Sequence, residues 1–349
     1  MGNMKDIARM AGVSLGTVSN VFSGSAAVRE PLRRKVMLAV EATGYQPNQL
    51  ARGLRRDKTN IMAIILPDIS NPFFPPVVRG AEDVAFAHGY RLVICNTDNN
   101  YEKELAHIKE LRTYLPAGLV VIASNVSEFS AQAEALKKAG TAVVCVDCLP
   151  RGWTGDTLTS ANEQGAYDAT NYVLKQGHKR LAMISGQQSF TSFNNRLRGF
   201  RRALDERNIE IDPDYIQEST SDIASGYAKT LILMKLIPRP TVIFAGNDVI
   251  ALGAMRAFRD LGLRCPEDVS LVGFDDLEFS ELTNPALTTV SQPGYQLGST
   301  AARLLLERIN GGAEPARHIV LDTELKIRGS VGPPLVAKKA IRSKATSRN

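Results

Sequence analysis

The chain opens with three short stretches whose apolar residues repeat at helical spacing. Met4 to Met10, with Ile7, Ala8 and then Ala11 on one side, predicts a first helix. Gly12 interrupts it, and Ser14 is placed to cap a second helix, Leu15 to Phe22, whose apolar face is Val18, Val21 and Phe22. Glu30-Pro31 opens a third, in which Leu32, Val36, Ala39 and Val40 recur at i, i+4, i+7 and i+8. From Asn60 the period changes. Buried-strand runs appear at IMAIIL (61–66), RLVIC (91–95), GLVVIA (118–123) and AVVCVD (142–147). Helical patterns over Phe74 to His88, Tyr101 to Tyr114 and Ser130 to Ala139 separate them. After Pro150 the alternation restarts, with strands at Thr157 to Ala161, 180–185, 215–219, 241–245 and 269–274. The intervening helices are expected at 163–176, 192–208, 223–236 and 248–261.

Helix, tight glycine turn and helix, followed by a packing helix, is the helix-turn-helix pattern, whose second helix fits the major groove of DNA. Regular strand–helix alternation predicts doubly wound parallel sheets. The stretch is too long for one sheet, and the break around 148–160 divides it into two similar lobes. Ligands of such sheets sit at the carboxyl ends of the strands, so facing lobes place a ligand in the cleft between them. The expected organisation is an all-α head over 1–46, a hinge helix or linker over 47–58 and a bilobed α/β sensor over 59–332. The sensor's first lobe is expected at about 59–148 and its second at about 160–280, each with a return segment. A tail over 333–349, poor in apolar residues, is expected to be disordered.

The stretch from Tyr45 to Arg56 joins the two halves. Pro47 suits a helix start, and Leu54 is an isolated apolar residue between Arg52 and Arg55. A helix this short is unstable alone, and Gly53 weakens it by about 1 kcal/mol relative to alanine. It reads as a joint that folds only when held.

Charge sharpens this picture. The net charge is +6, but residues 1–60 alone carry +6, the tail beyond Gly332 carries +5, and the middle is left with −5. Basic ends around an acidic body point to a polyanion partner. No apolar run reaches the roughly 18 residues of a spanning helix, and the first residues lack a signal-peptide core. A cytoplasmic protein with no membrane partner is expected. Cys145-Val-Asp-Cys148 spells C-x-x-C, but no second pair exists for zinc, so the thiols read as structural. Gly12-Val-Ser14-Leu-Gly16 spells G-x-S-x-G, yet a helix rather than a strand precedes it. With four scattered histidines and no phosphate loop, neither an enzyme nor a bound cofactor or metal is expected.

The run MKDIARMAGVSLGTVSNVFSG, continued by VREPLRRKVMLAVEATGYQPNQLARGLR, resembles the headpiece and hinge of the LacI/GalR family of bacterial transcription regulators. The resemblance implies that Leu15, Gly16 and Asn20 stand where base edges are read. Leu15 suits a thymine methyl and Asn20 an adenine edge, whereas Gly16 has no side chain to read with. Ser14, Thr17 and Ser19 suit phosphate contacts. It also implies that Leu54, with Arg52 and Arg55 beside it, wedges into the minor groove and kinks double-stranded operator DNA; a contact to the sensor is the alternative for Leu54.

The remainder is similar to the periplasmic sugar-binding fold, on DISNPFF (68–74), NRLRGF (195–200), the GND and GFDD segments, and NPALTTVSQP (284–293). It implies effector contacts from Asp147, Arg196, Asn247 and Asp275, aromatic walls from Phe73 and Phe74, and an edge contact from Gln292. Carboxylates, a guanidinium and an amide can each bind neighbouring hydroxyls, and aromatic faces stack on sugar C–H surfaces. Arg196 with Asp147 and Asp275 fits a structural ion-pair network equally, Phe73 fits plain core, and Asn247 fits a helix cap. Purine-sensing relatives carry an arginine where Phe190 falls and an aromatic where Ser221 falls, which favours a sugar, sugar acid or sugar phosphate here. Ser189, Thr191 and Ser192 are further polar candidates.

The resulting expectation is a dimeric, ligand-responsive repressor on a pseudo-palindromic operator. Interface surfaces are expected at Pro238 to Ala245 and around Asn71–Ala85, and the tail has no leucine heptad for a tetramer. A cytoplasmic sugar-binding module without gene control is the alternative; it leaves the basic head unexplained.

Overall fold

The computed structural model describes residues 3–22, 28–45, 59–122, 134–149, 152–312 and 315–335. The chain divides into two compact units, 1–59 and 60–349. The hinge residues Arg52, Leu54 and Arg55, the tail from 336 and the first part of the Ser130–Ala139 helix lie outside the described residues.

The first unit is three helices, α1 (Met4–Ala11), α2 (Leu15–Phe22) and α3 (Glu30–Thr43). Asn3 and Asp6 form a capping box at the start of α1, and Gly12 ends it in the left-handed conformation that a residue with a Cβ resists. The Ser14 Oγ then accepts the Thr17 backbone N–H at 3.1 Å, capping α2 as its sequence predicts. Ile7, Val18 and Val36 are fully buried at the centre, with Val21, Val28 and Ala39 around them. Leu32, expected on the apolar face of α3, is exposed. The periodicity assigned it one turn too early, before α3 reaches the core.

In the second unit, the first sheet contains β1 (Ile61–Leu66), β2 (Arg91–Asn96), β3 (Gly118–Val121), β4 (Ala142–Val146), β5 (Asp156–Ser160) and β11 (His318–Leu321). Their order is β11-β5-β4-β3-β1-β2, all parallel. The second sheet is β12-β10-β9-β8-β6-β7: β6 (Leu181–Ser185), β7 (Ile216–Glu218), β8 (Val242–Ala245), β9 (Ser270–Asp275), β10 (Thr288–Ser291) and β12 (Glu324–Lys326). Only β12 runs antiparallel, against β10. Helices cover both faces of the sheets: α4 (Phe74–Ala87), α5 (Tyr101–Tyr114), α6 (Asn162–Lys175), α7 (Thr191–Asp205), α8 (Ile223–Leu233) and α9 (Asp248–Asp260). The short α10 (Phe279–Leu282) and the long α11 (Gly294–Ile309) complete the set. This two-sided cover makes the central strands apolar throughout rather than alternating.

The chain crosses between the lobes three times, after β5, after β10 and after β11. The sequence break near 148 therefore precedes the lobe boundary. Strand β5, which the sequence reading set beyond the first lobe, pairs with β4 and β11 inside the first sheet. Helix α11 returns to the first lobe and packs on α4 so closely that a Cβ on Gly298 would collide with the Val77 carbonyl. The expected interface at Pro238–Ala245 is corrected over its second half: β8 lies inside the second sheet, and Val242 to Ala245 are buried, while Pro238 is exposed.

Cys145 and Cys148 are free and buried under the first sheet; burial first, and then each other's proximity, holds the Cys145 thiol well above its ordinary value. Among the described residues no histidine, cysteine and carboxylate group is arranged to hold a metal, and no helix is long and apolar enough to cross a membrane.

Candidate functional site

The carboxyl ends of β1, β2, β4, β6, β7, β8 and β9 converge on a cavity of about 330 Å³ between the two lobes. The first lobe supplies Phe73, Phe74 and Asp147, the second Phe190, Arg196, Asn247 and Asp275. These seven sequence candidates come together there. Gln292 does not line the cavity; it stands behind Asp275 and donates from Nε2 to Asp275 Oδ1 at 2.6 Å. Of the additional polar candidates, Ser192 lines the wall and Ser189 does not; Ser221, where purine-sensing relatives carry an aromatic, lines it too. Thr191 instead accepts the Leu149 N–H at 3.3 Å, a contact between the lobes.

The geometry of the floor follows from its backbone. Asp147 ends β4 with φ 54 and Asp275 ends β9 with φ 114, left-handed values that swing each carboxylate out of its strand direction. Arg196, on the second turn of α7, is buried and held on three sides. Its Nε donates to Asn162 Oδ1 at 2.8 Å, its Nη1 donates to the Gly246 carbonyl at 2.6 Å, and its guanidinium lies 3.9 Å from the Phe274 ring centroid. The charge contact from Nη1 to Asp275 Oδ1 is longer, at 3.4 Å. Asn162 also donates to Asp147 Oδ1 at 3.1 Å, so one amide at the first crossover ties together groups from both lobes.

Burial dominates the electrostatics. It pushes Asp275 up to about 7, against the pull of Arg196, and it raises Asp147 likewise. Burial also lowers Arg196, while Asp275 and Asp147 oppose that shift. Asn247 bears out its capping alternative, since Oδ1 accepts the Ile250 N–H at 2.8 Å and starts α9. Among the described residues, Arg196 Nη2, Asn247 Nδ2 and Asp275 Oδ2 have no protein partner. A donor, a donor and an acceptor at the end of a phenylalanine-lined cavity match neighbouring hydroxyls on a compact ring.

Sequence reasoning missed Asp68, Asn71, Asp98, Asn99, Gln187 and Asp222, which line the outer part of the cavity. A signal for them existed: each follows the carboxyl end of β1, β2, β6 or β7 by a few residues. It also missed Asp248, a fully buried carboxylate raised to about 6 by burial. Asp248 accepts the Leu277 N–H and the hydroxyls of Ser280 and Thr289, and so ties α9 to β10 and to the loop entering α10.

In the first unit, Leu15, Gly16 and Asn20 are exposed on α2, while Thr17 and Ser19 are half-buried. A Cβ at Gly16 would meet only the Ser14 Oγ, at 3.7 Å. The fold therefore leaves room for a side chain at that position.

Comparisons with known proteins agree with both units. The model for bacterial regulatory proteins of the lacI family matches residues 3–48, and that for a periplasmic binding protein-like domain matches 170–331. The HTH-type transcriptional repressor PurR of Vibrio vulnificus (strain CMCP6) is 34% identical over 331 residues, spanning 95% of this chain and 99% of that protein. The chain belongs to the lacI family. Among solved structures, a Lac repressor dimer bound to operator and the anti-inducer ONPF superposes with a TM-score of 0.83 at 26% identity, covering 95% of this chain and 99% of that one. The complex of the transcriptional regulator CelR with cellobiose is similar at a TM-score of 0.73 and 29% identity, covering 95% and 100%. The family member described here is thus a DNA-binding transcriptional regulator and not an enzyme.

Proposed function

We propose that this lacI-family chain is a repressor that binds a pseudo-palindromic operator as a homodimer and is switched by a sugar or sugar derivative in the cleft. The observation carrying the effector class is the floor of the cavity, with Phe73 and Phe74 beside the unpartnered Arg196 Nη2, Asn247 Nδ2 and Asp275 Oδ2. The cellobiose held by CelR supports the same class. Leu15 and Asn20 read base edges, Gly16 leaves one reading position empty, and Ser14, Thr17 and Ser19 grip phosphates. The hinge over 47–58 places Leu54 in the minor groove, with Arg52 and Arg55 on the backbone.

Self-association is supported by an exposed apolar edge on the first lobe. Val93 and Ile94 are exposed on the edge strand β2, and Phe86 is exposed on α4. Edges of this kind are covered in stable proteins. The effector acts by favouring one closure of the lobes over another.

Titrating the full chain into labelled DNA from around its own gene tests the reading. Saturation at two chains per duplex, with strong preference over random DNA and a shift on adding a sugar, is the expected result. Binding without sequence preference would remove the gene-control reading and leave a sugar-binding module.

A further inference from the structure

The cavity has two compartments with different chemistry. Its floor is buried and aromatic: Phe73, Phe74 and Phe193 line it together with Arg196, Asn247 and Asp275. Its mouth is polar and open. Asn71 and Asn99 reach it from the first lobe, Gln187 and Ser221 from the second. The Asn71 Oδ1 accepts the Phe73 N–H, but its Nδ2 has no protein partner among the described residues. The side-chain amides of Asn99 and Gln187 and the hydroxyl of Ser221 likewise have none there. Three amides and a hydroxyl, from both sides of one opening, can each donate and accept toward a single neutral partner.

The charges at the mouth are already engaged. Asp98 is bonded to Lys103 at 2.6 Å, Asp68 accepts the Ser70 hydroxyl at 2.6 Å, and Asp222 accepts the Ser225 N–H at 2.7 Å to cap α8. Arg196 is the single cation among the described lining residues; Lys103 neutralises Asp98 and burial opposes charge on Asp147 and Asp275, so Asp68 and Asp222 set the sign of the mouth. An anionic ligand would enter against those two carboxylates and find a buried guanidinium stacked on Phe274, its Nε and Nη1 already bonded and only Nη2 left to meet it.

Resting on the sugar reading above, we infer that the effector is an uncharged glycoside of at least two units. One ring lies on the aromatic floor, and the second is held at the mouth by Asn71, Asn99, Gln187 and Ser221. The second unit bridges the lobes, and because the mouth is open its length is not limited by the enclosed volume. Sugar phosphates and sugar acids are excluded.

Calorimetry on the full chain tests this with glucose, galactose, mannose and ribose, the disaccharides cellobiose, maltose and lactose, and glucose 6-phosphate. One disaccharide should bind at least about tenfold tighter than its own monosaccharides, and the phosphate more weakly than glucose. In the doubly substituted Asn99→Ala, Gln187→Ala chain, affinity for that disaccharide should fall about tenfold while that for the monosaccharide stays within about twofold. Both residues are at least partly exposed, so the fold should persist. A monosaccharide bound as tightly as every disaccharide, equal losses for both in the variant, or preference for the phosphate would overturn the two-unit reading and leave the sugar reading standing. Absence of binding by every sugar would overturn both.

Discussion

The first lobe meets the cavity floor with Phe73, Phe74 and Ile122, the second with Arg196, Asn247 and Asp275. Both lobes arise from the same strand–helix alternation, yet at the floor the first contributes two aromatic rings and an isoleucine beside Asp147, while the second adds to Phe193 a braced arginine, an amide and a carboxylate. Apolar contact tolerates small displacements, whereas charge-assisted hydrogen bonds need fixed directions. The second lobe accordingly braces its arginine by Asn162, the Gly246 carbonyl and the Phe274 ring, and backs Asp275 with Gln292. The first lobe brings Asp147 to the floor, with Asp68 and Asp98 further out, and Asp147 shares its brace, Asn162, with the second lobe. The difference suggests a division of labour for the proposed effector: the braced second lobe would orient it, and the first would close over it.

Removing the oriented charge should have the largest effect. Arg196→Ala leaves Asp275 buried without its counter-charge, and effector affinity should drop by about a hundredfold or more. Calorimetry should show this while operator binding of the unliganded chain persists. Arg196→Lys should rescue little, because an ammonium can neither fork to Asn162 and Gly246 nor stack on Phe274. Near-normal affinity in the alanine variant would move orientation away from the second lobe.

A smaller loss is expected from the apolar side. Phe73→Leu keeps most of the volume but loses the flat face, so affinity should fall about three- to tenfold. A loss equal to that of Arg196→Ala would erase the asymmetry between the lobes.

The smallest expected effect lies away from the cavity. His178 is buried in the second lobe, its Nε2–H donating to the Gly332 carbonyl at 2.8 Å and its Nδ1 facing the Thr241 hydroxyl at 2.8 Å. Burial lowers its pKa below the roughly 6.5 of an unfolded histidine. The neutral form therefore contributes stability that is fully present above about 6.5 and is lost as pH falls toward the folded value. Asp275 and Asp248, raised to about 7 and about 6, act in the opposite sense, since protonation relieves their burial. Melting curves of the wild type and His178→Gln should thus be compared by difference. Between pH 7.5 and 5.5 the wild type should lose about 2 °C relative to the variant, with effector affinity equal in both. A pH-independent difference would remove His178 as the source.

Much of this was readable along the chain. Tyr101 to Tyr114 is a helix with the ends its pattern predicts, and the four strand runs from IMAIIL to AVVCVD form neighbours in one parallel sheet. Seven effector candidates reach one cavity because each sits near a strand's carboxyl end or on the helix that follows it. The short strands β10, β11 and β12 escaped notice: with three or four residues each, they carry too little periodicity to stand out. Helix α11 was missed as well, because it is buried along much of its length and shows no clean polar face. Asn71, Asp98 and Asn99 were passed over because asparagine and aspartate after a strand read first as turn formers.

The sequence by itself determined the local states: where helices start and stop, which runs are buried strands, and that a basic helix-turn-helix head precedes an α/β sensor. Those depend on capping, periodicity and charge within a few residues. Only the tertiary structure decided that β5 and α11 belong to the first lobe, that Gln292 supports Asp275 from behind, and that Asn162 joins Arg196 to Asp147. Each of these depends on which distant segments the crossovers bring together. Local pattern fixes a residue's conformation, while the neighbours that satisfy its buried polar atoms are set by the packing of the whole unit.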